Sequence, residues 1–173
     1  YSPAGESRLA EAQPFAVDCI HGSVAVAHNG NLVNGEQLRS RLEGKGSIFR
    51  SSADTEVVIH LMARSQQSDL AGRLTEALHA VKGAYSLLAI SEEGMAAVRD
   101  PHGIRPLILG RLEGAYVLSS ESTAFQLIGA ERIRDLAPGE LIVINRDGYQ
   151  TFYPFSPKQH RFCVFERVYF ARP

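Results

Sequence analysis

Two consecutive stretches of helical spacing, bracketed on both sides by short strand-like runs, constrain this chain more than any other feature. In SSADTEVVIHLMARS the apolar residues Val57, Val58, Leu61 and Met62 recur at helical intervals, and in DLAGRLTEALHAVKG so do Leu70, Leu74, Leu78 and Val81. Ser52 or Asp54 is positioned to cap the first stretch, and Gly83 closes the second. Helices that follow one another with no strand between them do not make a βαβ repeat, so the pair is expected to share one face of a sheet.

The flanking runs supply that sheet. From Ala84 onward AYSLLAIS, MAAVRD, PLILGRL and AYVLSS read as short strands, and Ser120 caps a short helix through Thr123, Phe125, Leu127 and Ile128. ELIVIN and YQTFYPF then form a hairpin around Asn145-Arg146-Asp147-Gly148, whose Asp-Gly pair accepts the backbone of a tight turn. Upstream, residues 1–14 (YSPAGESRLAEAQP) show no period and read as a loop, Phe15–Asp18 and Ser23–Ala27 as strands. A helix follows, capped by Asn34 with Gln37 in the capping-box position, carrying Leu38 and Leu42 to Gly44 and Gly46. The order implies an α+β fold with antiparallel-rich layers.

At 173 residues, with 45% hydrophobic and 21% charged side chains, the chain fits one globular domain with a real core. The formal charge of −1 gives no electrostatic footprint for nucleic acid or an anionic membrane, so neither is expected as a partner. No apolar run approaches the roughly 20 residues of a membrane span and no secretory leader opens the chain, so cytoplasm is the expected location. Cys19 and Cys163 form no CxxC pair and read as free thiols.

Three constellations could carry chemistry. In VAVAHNGNLVN the segment His28-Asn29-Gly30-Asn31 interrupts an alternating run, and it reads either as a tight turn or as an oxyanion hole. In the second reading the Asn29 side-chain amide and the Gly30 backbone N–H converge on developing negative charge, donors worth roughly 3–4 kcal/mol each in acyl transfer. In SSADTE, Asp54 is either a plain helix cap or a carboxylate that holds a ligand ammonium group. In VRDPHGIRPLILG, Arg99, Asp100 and Arg105 suggest a turn pinned by charged hydrogen bonds, with His102 either a ligand or base or, as is commoner in a Pro-Gly turn, a solvated loop residue. No phosphate-binding P-loop, dinucleotide fingerprint, HExxH or GxSxG occurs.

Taken together, YSPAGESRLAEAQPF, AHNGNLVN, SSADTEVVIHL, VKGAYSLL, VRDPHGIRPLILG, VLSSES and CVFERVYFARP resemble the amidophosphoribosyltransferase family, in collinear order over essentially the whole chain. The resemblance implies an N-terminal-nucleophile glutaminase domain, a four-layer α/β/β/α sandwich, here incomplete at its N-terminus. Residues 1–155 would be that domain without its first strands, and residues 156–173 a linker and the start of a phosphoribosyltransferase domain. It implies that glutamine is hydrolysed to ammonia, which converts phosphoribosyl pyrophosphate to phosphoribosylamine, the first step of purine biosynthesis. Asn29 and Gly30 match the family's oxyanion hole, Asp54 the carboxylate that binds the glutamine α-amino group, and residues 1–14 the loop that closes over glutamine.

The departures bear on activity. The family's nucleophile is a cysteine at the mature N-terminus, and neither Cys19 nor Cys163 can replace it. The arginine that binds the glutamine carboxylate belongs just before Tyr1, and Pro3 stands where the family has threonine. The chain therefore reads as a piece of a longer protein, inactive by itself as a glutaminase. Mg²⁺ is implied for the phosphoribosyltransferase domain, and in iron–sulfur members Cys163 would be one of four ligands of a 4Fe–4S cluster. No cofactor is expected for the fragment alone, and a homo-oligomer is expected for the parent. The alternatives are another glutamine amidotransferase, such as a glucosamine-phosphate synthase, or a non-catalytic glutamine-binding module.

Overall fold

The computed structural model describes residues 11–156 and 158–161. Pro3, Cys163 and most of the expected loop and linker lie outside the described residues. Strand β1 (Phe15–Cys19) turns through Gly22 into the long strand β2 (Gly22–Leu32). Three helices follow, α1 (Gly35–Glu43), α2 (Asp54–Ala63) and α3 (Leu70–His79). The chain then runs β3 (Gly83–Ser91), β4 (Gly94–Arg99), β5 (Ile108–Leu112), β6 (Ala115–Ser119), α4 (Ser122–Ile128), β7 (Glu131–Asp135), β8 (Leu141–Asn145) and β9 (Gly148–Phe152).

All strand pairs are antiparallel, in a six-stranded sheet of order β1-β2-β3-β4-β8-β9 and a three-stranded sheet of order β6-β5-β7. On one face of the larger sheet Val24, Val26, Leu87, Ala89 and Val98 pack against Val58, Ile59, Met62, Leu74 and Leu78 of α2 and α3. Its other face meets the smaller sheet through Ala97, Ile142, Ile144, Leu107, Leu109 and Leu136. Helix α4 lies beyond, where Gly110 of β5 leaves room for the Phe125 ring. The layers are therefore helix, sheet, sheet, helix, and the two consecutive helices do share one face.

Four local expectations are corrected. Asn34 stands at the N-cap of α1 without a side-chain cap bond; its amide instead donates to Ala80 O and accepts from Lys82 N–H, tying α1 to the loop after α3. Neither Ser52 nor Asp54 caps α2, whose N-cap is Ala53. The cap of α4 is Glu121 rather than Ser120, and Gly83 opens β3 rather than closing α3. Strand β7 was not legible: its residues ERIRD are mostly exposed and charged, so no apolar alternation marks them.

The two sheets are tied by a buried charge. Glu140, fully buried at the entry to β8, receives two hydrogen bonds from the Arg134 guanidinium of β7, at 2.6 and 2.9 Å, and one from Ala137 N–H at 2.6 Å. Burial alone would raise the Glu140 carboxyl, but these donors outweigh it and hold it below the ordinary carboxylate range. Arg134→Met should therefore lower the unfolding free energy by about 2–3 kcal/mol at neutral pH, less than for a fully buried pair because Arg134 is a third exposed. Because the folded pKa of Glu140 is depressed, its contribution is present above the unfolded value of about 4.3 and is lost as pH falls through the folded value. Urea unfolding of wild type and variant should thus converge in acid.

Candidate active site

Strand β2 carries the candidate site, and its HNGN segment is not a turn. His28 to Leu32 continue the ladder opposite Leu87 to Gly83 of β3, with Asn29 facing Ser86 and Gly30 facing Tyr85. The tight-turn reading of Asn29-Gly30 is thereby excluded. Glycine is required there for another reason: at φ 151° a Cβ would collide with the Ala84 carbonyl oxygen and lie 2.8 Å from His28 Nε2.

Side chains alternate across the strand. Val24, Val26 and Leu32 face the helices, as does His28, while Asn29 lies on the opposite, exposed side, the face that elsewhere meets the smaller sheet. Its neighbour Ser86 is buried and donates to Pro106 O at 2.7 Å.

The free edge of β2 has a specific pattern of donors. Strand β1 pairs with β2 only as far as Phe15 opposite Val26, because Pro14 has no N–H to continue the ladder. One step further, His28 N–H donates to Gln13 Oε1, and His28 O accepts from Gln13 Nε2 at 3.0 Å. Two steps beyond, Leu32 N–H donates to Asp54 Oδ2 at 2.8 Å. Backbone groups two residues apart point the same way in an antiparallel strand, so Gly30 N–H lies on this edge too, between an occupied position and another occupied position.

Asp54 is the first residue of α2, and it reaches across to β2 instead of capping its helix. Oδ1 lies 3.3 Å from His28 Nδ1, whose side chain is 2% exposed, whereas the Asp54 side chain is 28% exposed. Burial raises the Asp54 carboxyl, but the His28 contact and the Leu32 N–H outweigh it and hold it below its ordinary value. A carboxylate has about four acceptor positions, so an ionised, partly open Asp54 keeps capacity for a further cation such as an ammonium group. The loop before it is closed by Glu56, which accepts from Arg50 N–H, Ser51 N–H and the Ser51 hydroxyl.

The structure thus sets Gly30 and Asp54 against the same short length of β2, with Asn29 on the strand's other face. Sequence reasoning gave no role to His28, Thr55 or Gln13. Thr55, fully buried, lies 3.3 Å from His28 Nδ1, and His28 Nε2 is buried with no hydrogen-bond partner among the described residues. The two-residue spacing of His28 and Gly30 in a strand was the available signal, since it places the ring over the glycine. The third constellation pins a turn as expected: Arg99 donates to the carbonyls of Gly103, Arg105 and Leu136, and buried Asp100 accepts from the N–H groups of His102, Ile104 and Arg105. His102 packs its Nδ1 3.0 Å from Gln159 O. Among the described residues no three His, Cys, Asp or Glu side chains gather as a metal site, and Cys163 lies outside them.

On this four-layer sandwich the Gly30 N–H, without a hydrogen-bond partner among the described residues, lies on the same strand edge that meets the Asp54 carboxylate. A family model described as a glutamine amidotransferase domain matches residues 6–127, and the chain belongs to that family. Within it, the chain is similar to amidophosphoribosyltransferases. The chloroplastic enzyme of Glycine max is 47% identical over 175 residues, covering 100% of this chain and 31% of that protein. The Bacillus subtilis enzyme is 42% identical over 175 residues, covering 100% and 37%. The solved structure of glutamine phosphoribosylpyrophosphate amidotransferase from B. subtilis, complexed with ADP and GMP, superposes with a TM-score of 0.88 at 42% identity, over 93% of this chain and 36% of that one. The sandwich is thus that of the N-terminal-nucleophile hydrolases. The chain spans about a third of the length of these relatives.

Gly30→Ala should cost about 2–3 kcal/mol, because the new methyl meets backbone rather than a movable side chain. Thermal unfolding measures it; an unchanged midpoint would show that β2 and β3 separate here without cost.

Proposed function

We propose that the chain is the glutamine-hydrolysing part of an amidophosphoribosyltransferase, supplying ammonia to phosphoribosyl pyrophosphate and so forming phosphoribosylamine at the start of purine biosynthesis. The single observation that carries this reading is the Gly30 N–H on the free edge of β2, held between the Gln13–His28 and Asp54–Leu32 hydrogen bonds. A strand-borne donor without a partner among the described residues suits an oxygen that becomes negative as an amide is attacked. Because the Gly30 N–H points along the plane of the sheet, Asn29 on the exposed face beside it would supply the second donor, and Asp54 from the helix side would hold the α-ammonium group of glutamine.

The reaction then runs as acyl transfer. A cysteine thiolate attacks the side-chain amide carbon, the carbonyl oxygen takes the electron pair and is stabilised by Asn29 and Gly30. The carbon–nitrogen bond breaks and ammonia leaves with a proton delivered by the nucleophile's own amino group. Water cleaves the thioester to glutamate. We assign the nucleophile, and the arginine for the glutamine carboxylate, to residues upstream of Tyr1 in the whole protein, with residues 1–155 forming the glutaminase domain. The isolated chain would then hydrolyse no glutamine. Mg²⁺, a cluster held in part by Cys163, and assembly into a homo-oligomer are proposed for the whole protein, and none enters the steps above. A cytoplasmic location stays a proposal, the Glycine max and Arabidopsis thaliana relatives being chloroplastic by name.

Asp54→Ala in the full-length protein tests the reading. Loss of a charge-assisted bond to the ammonium group should depress glutamine-dependent synthesis about 10- to 100-fold relative to ammonia-dependent synthesis in the same preparation. Equal loss of both would make Asp54 a structural tie between α2 and β2 and nothing more.

A further inference from the structure

Among the described residues ahead of β1, the side chains of Gln13 and Glu11 each bond to one half of the proposed site. Gln13 presents its amide to the edge of β2 as a strand would, accepting from His28 N–H and donating to His28 O. Glu11 does the corresponding service for the loop before α2: its Oε1 accepts from Ser52 N–H at 2.8 Å and from the Ser52 hydroxyl at 2.9 Å. Ser52 stands two residues before Asp54, and His28 two residues before Gly30.

These contacts are made where ordinary secondary structure stops. Pro14 ends the β1 ladder, so without Gln13 the next edge position of β2 would have no partner among the described residues. A longer β1 would satisfy His28 equally well, but its backbone would continue over Gly30 and occupy the N–H that the site requires. A side-chain amide fills one position and stops.

We propose that Gln13 is a positioning residue for glutamine, acting with Glu11 as a brace that fixes the spacing between the Gly30 N–H and the Asp54 carboxylate. Gln13 touches neither glutamine nor the reacting atoms; it acts through the His28 backbone. This inference rests on the proposed glutamine site and adds to it the device that holds its two halves in register.

The test is steady-state kinetics of the full-length protein with Gln13→Ala, Gln13→Met and Asp54→Ala. A brace that sets spacing is read in the KM for glutamine, which a smaller folded fraction does not change. Gln13→Ala should raise that KM about five- to tenfold, the equivalent of roughly one net hydrogen bond, and Gln13→Met, which keeps length without the amide, should raise it as much. A wild-type KM in either variant overturns the inference. Asp54→Ala separates the two readings: an unchanged KM there defeats the glutamine site itself, whereas a raised KM with unaltered Gln13 variants defeats the brace alone.

Discussion

The fold around the site depends on one carboxylate crossing from a helix to a strand. Asp54 opens α2, and by accepting the Leu32 N–H and facing His28 Nδ1 it fixes that helix against the end of β2. The apolar contacts of Val58, Ile59 and Met62 with Val24 and Val26 bury area but are not directional, so they leave the axial position of the helix loosely set. The Asp54 contacts are directional, and they set it. Ionisation of Asp54 is therefore part of the architecture.

The strand is backed from its other side by the charged turn. Asp100 N–H donates to Tyr85 O at 2.8 Å, and Tyr85 lies opposite Gly30. Burial pushes the Tyr85 hydroxyl pKa up, and the nearby Asp100 charge adds to it, so the ring stays neutral under Gly30. Arg99, bonded to three carbonyls, closes the same turn onto Leu136 before β8. Sequence segments far apart, HNGN and RDPHGIRP, are thus successive layers of one support.

Much of this was legible in the sequence because it is periodic. The spacing of Val57, Val58, Leu61 and Met62, then of Leu70, Leu74 and Leu78, gave two helices on one face of a sheet, and the Asp-Gly pair at 147–148 gave the β8–β9 hairpin. What escaped is non-local. Asn34 carries every mark of a helix cap, yet its amide is spent 46 and 48 residues away on Ala80 and Lys82. Asn29-Gly30 has turn chemistry, yet it lies in a strand whose glycine answers to the Ala84 carbonyl across the ladder. Gln13 and Glu11 sit in a stretch without period, and only their partners, His28 and Ser52, reveal a purpose.

Among the described residues the edge of β2 presents one unpaired N–H, that of Gly30, between the occupied N–H groups of His28 and Leu32. Amide hydrogen exchange followed by NMR reads each of the three directly. His28 and Leu32 N–H should be protected by Gln13 and Asp54, and Gly30 N–H between them should exchange markedly faster. Equal protection at Gly30 would mean that the position is already filled, and the oxyanion reading of this strand would be contradicted.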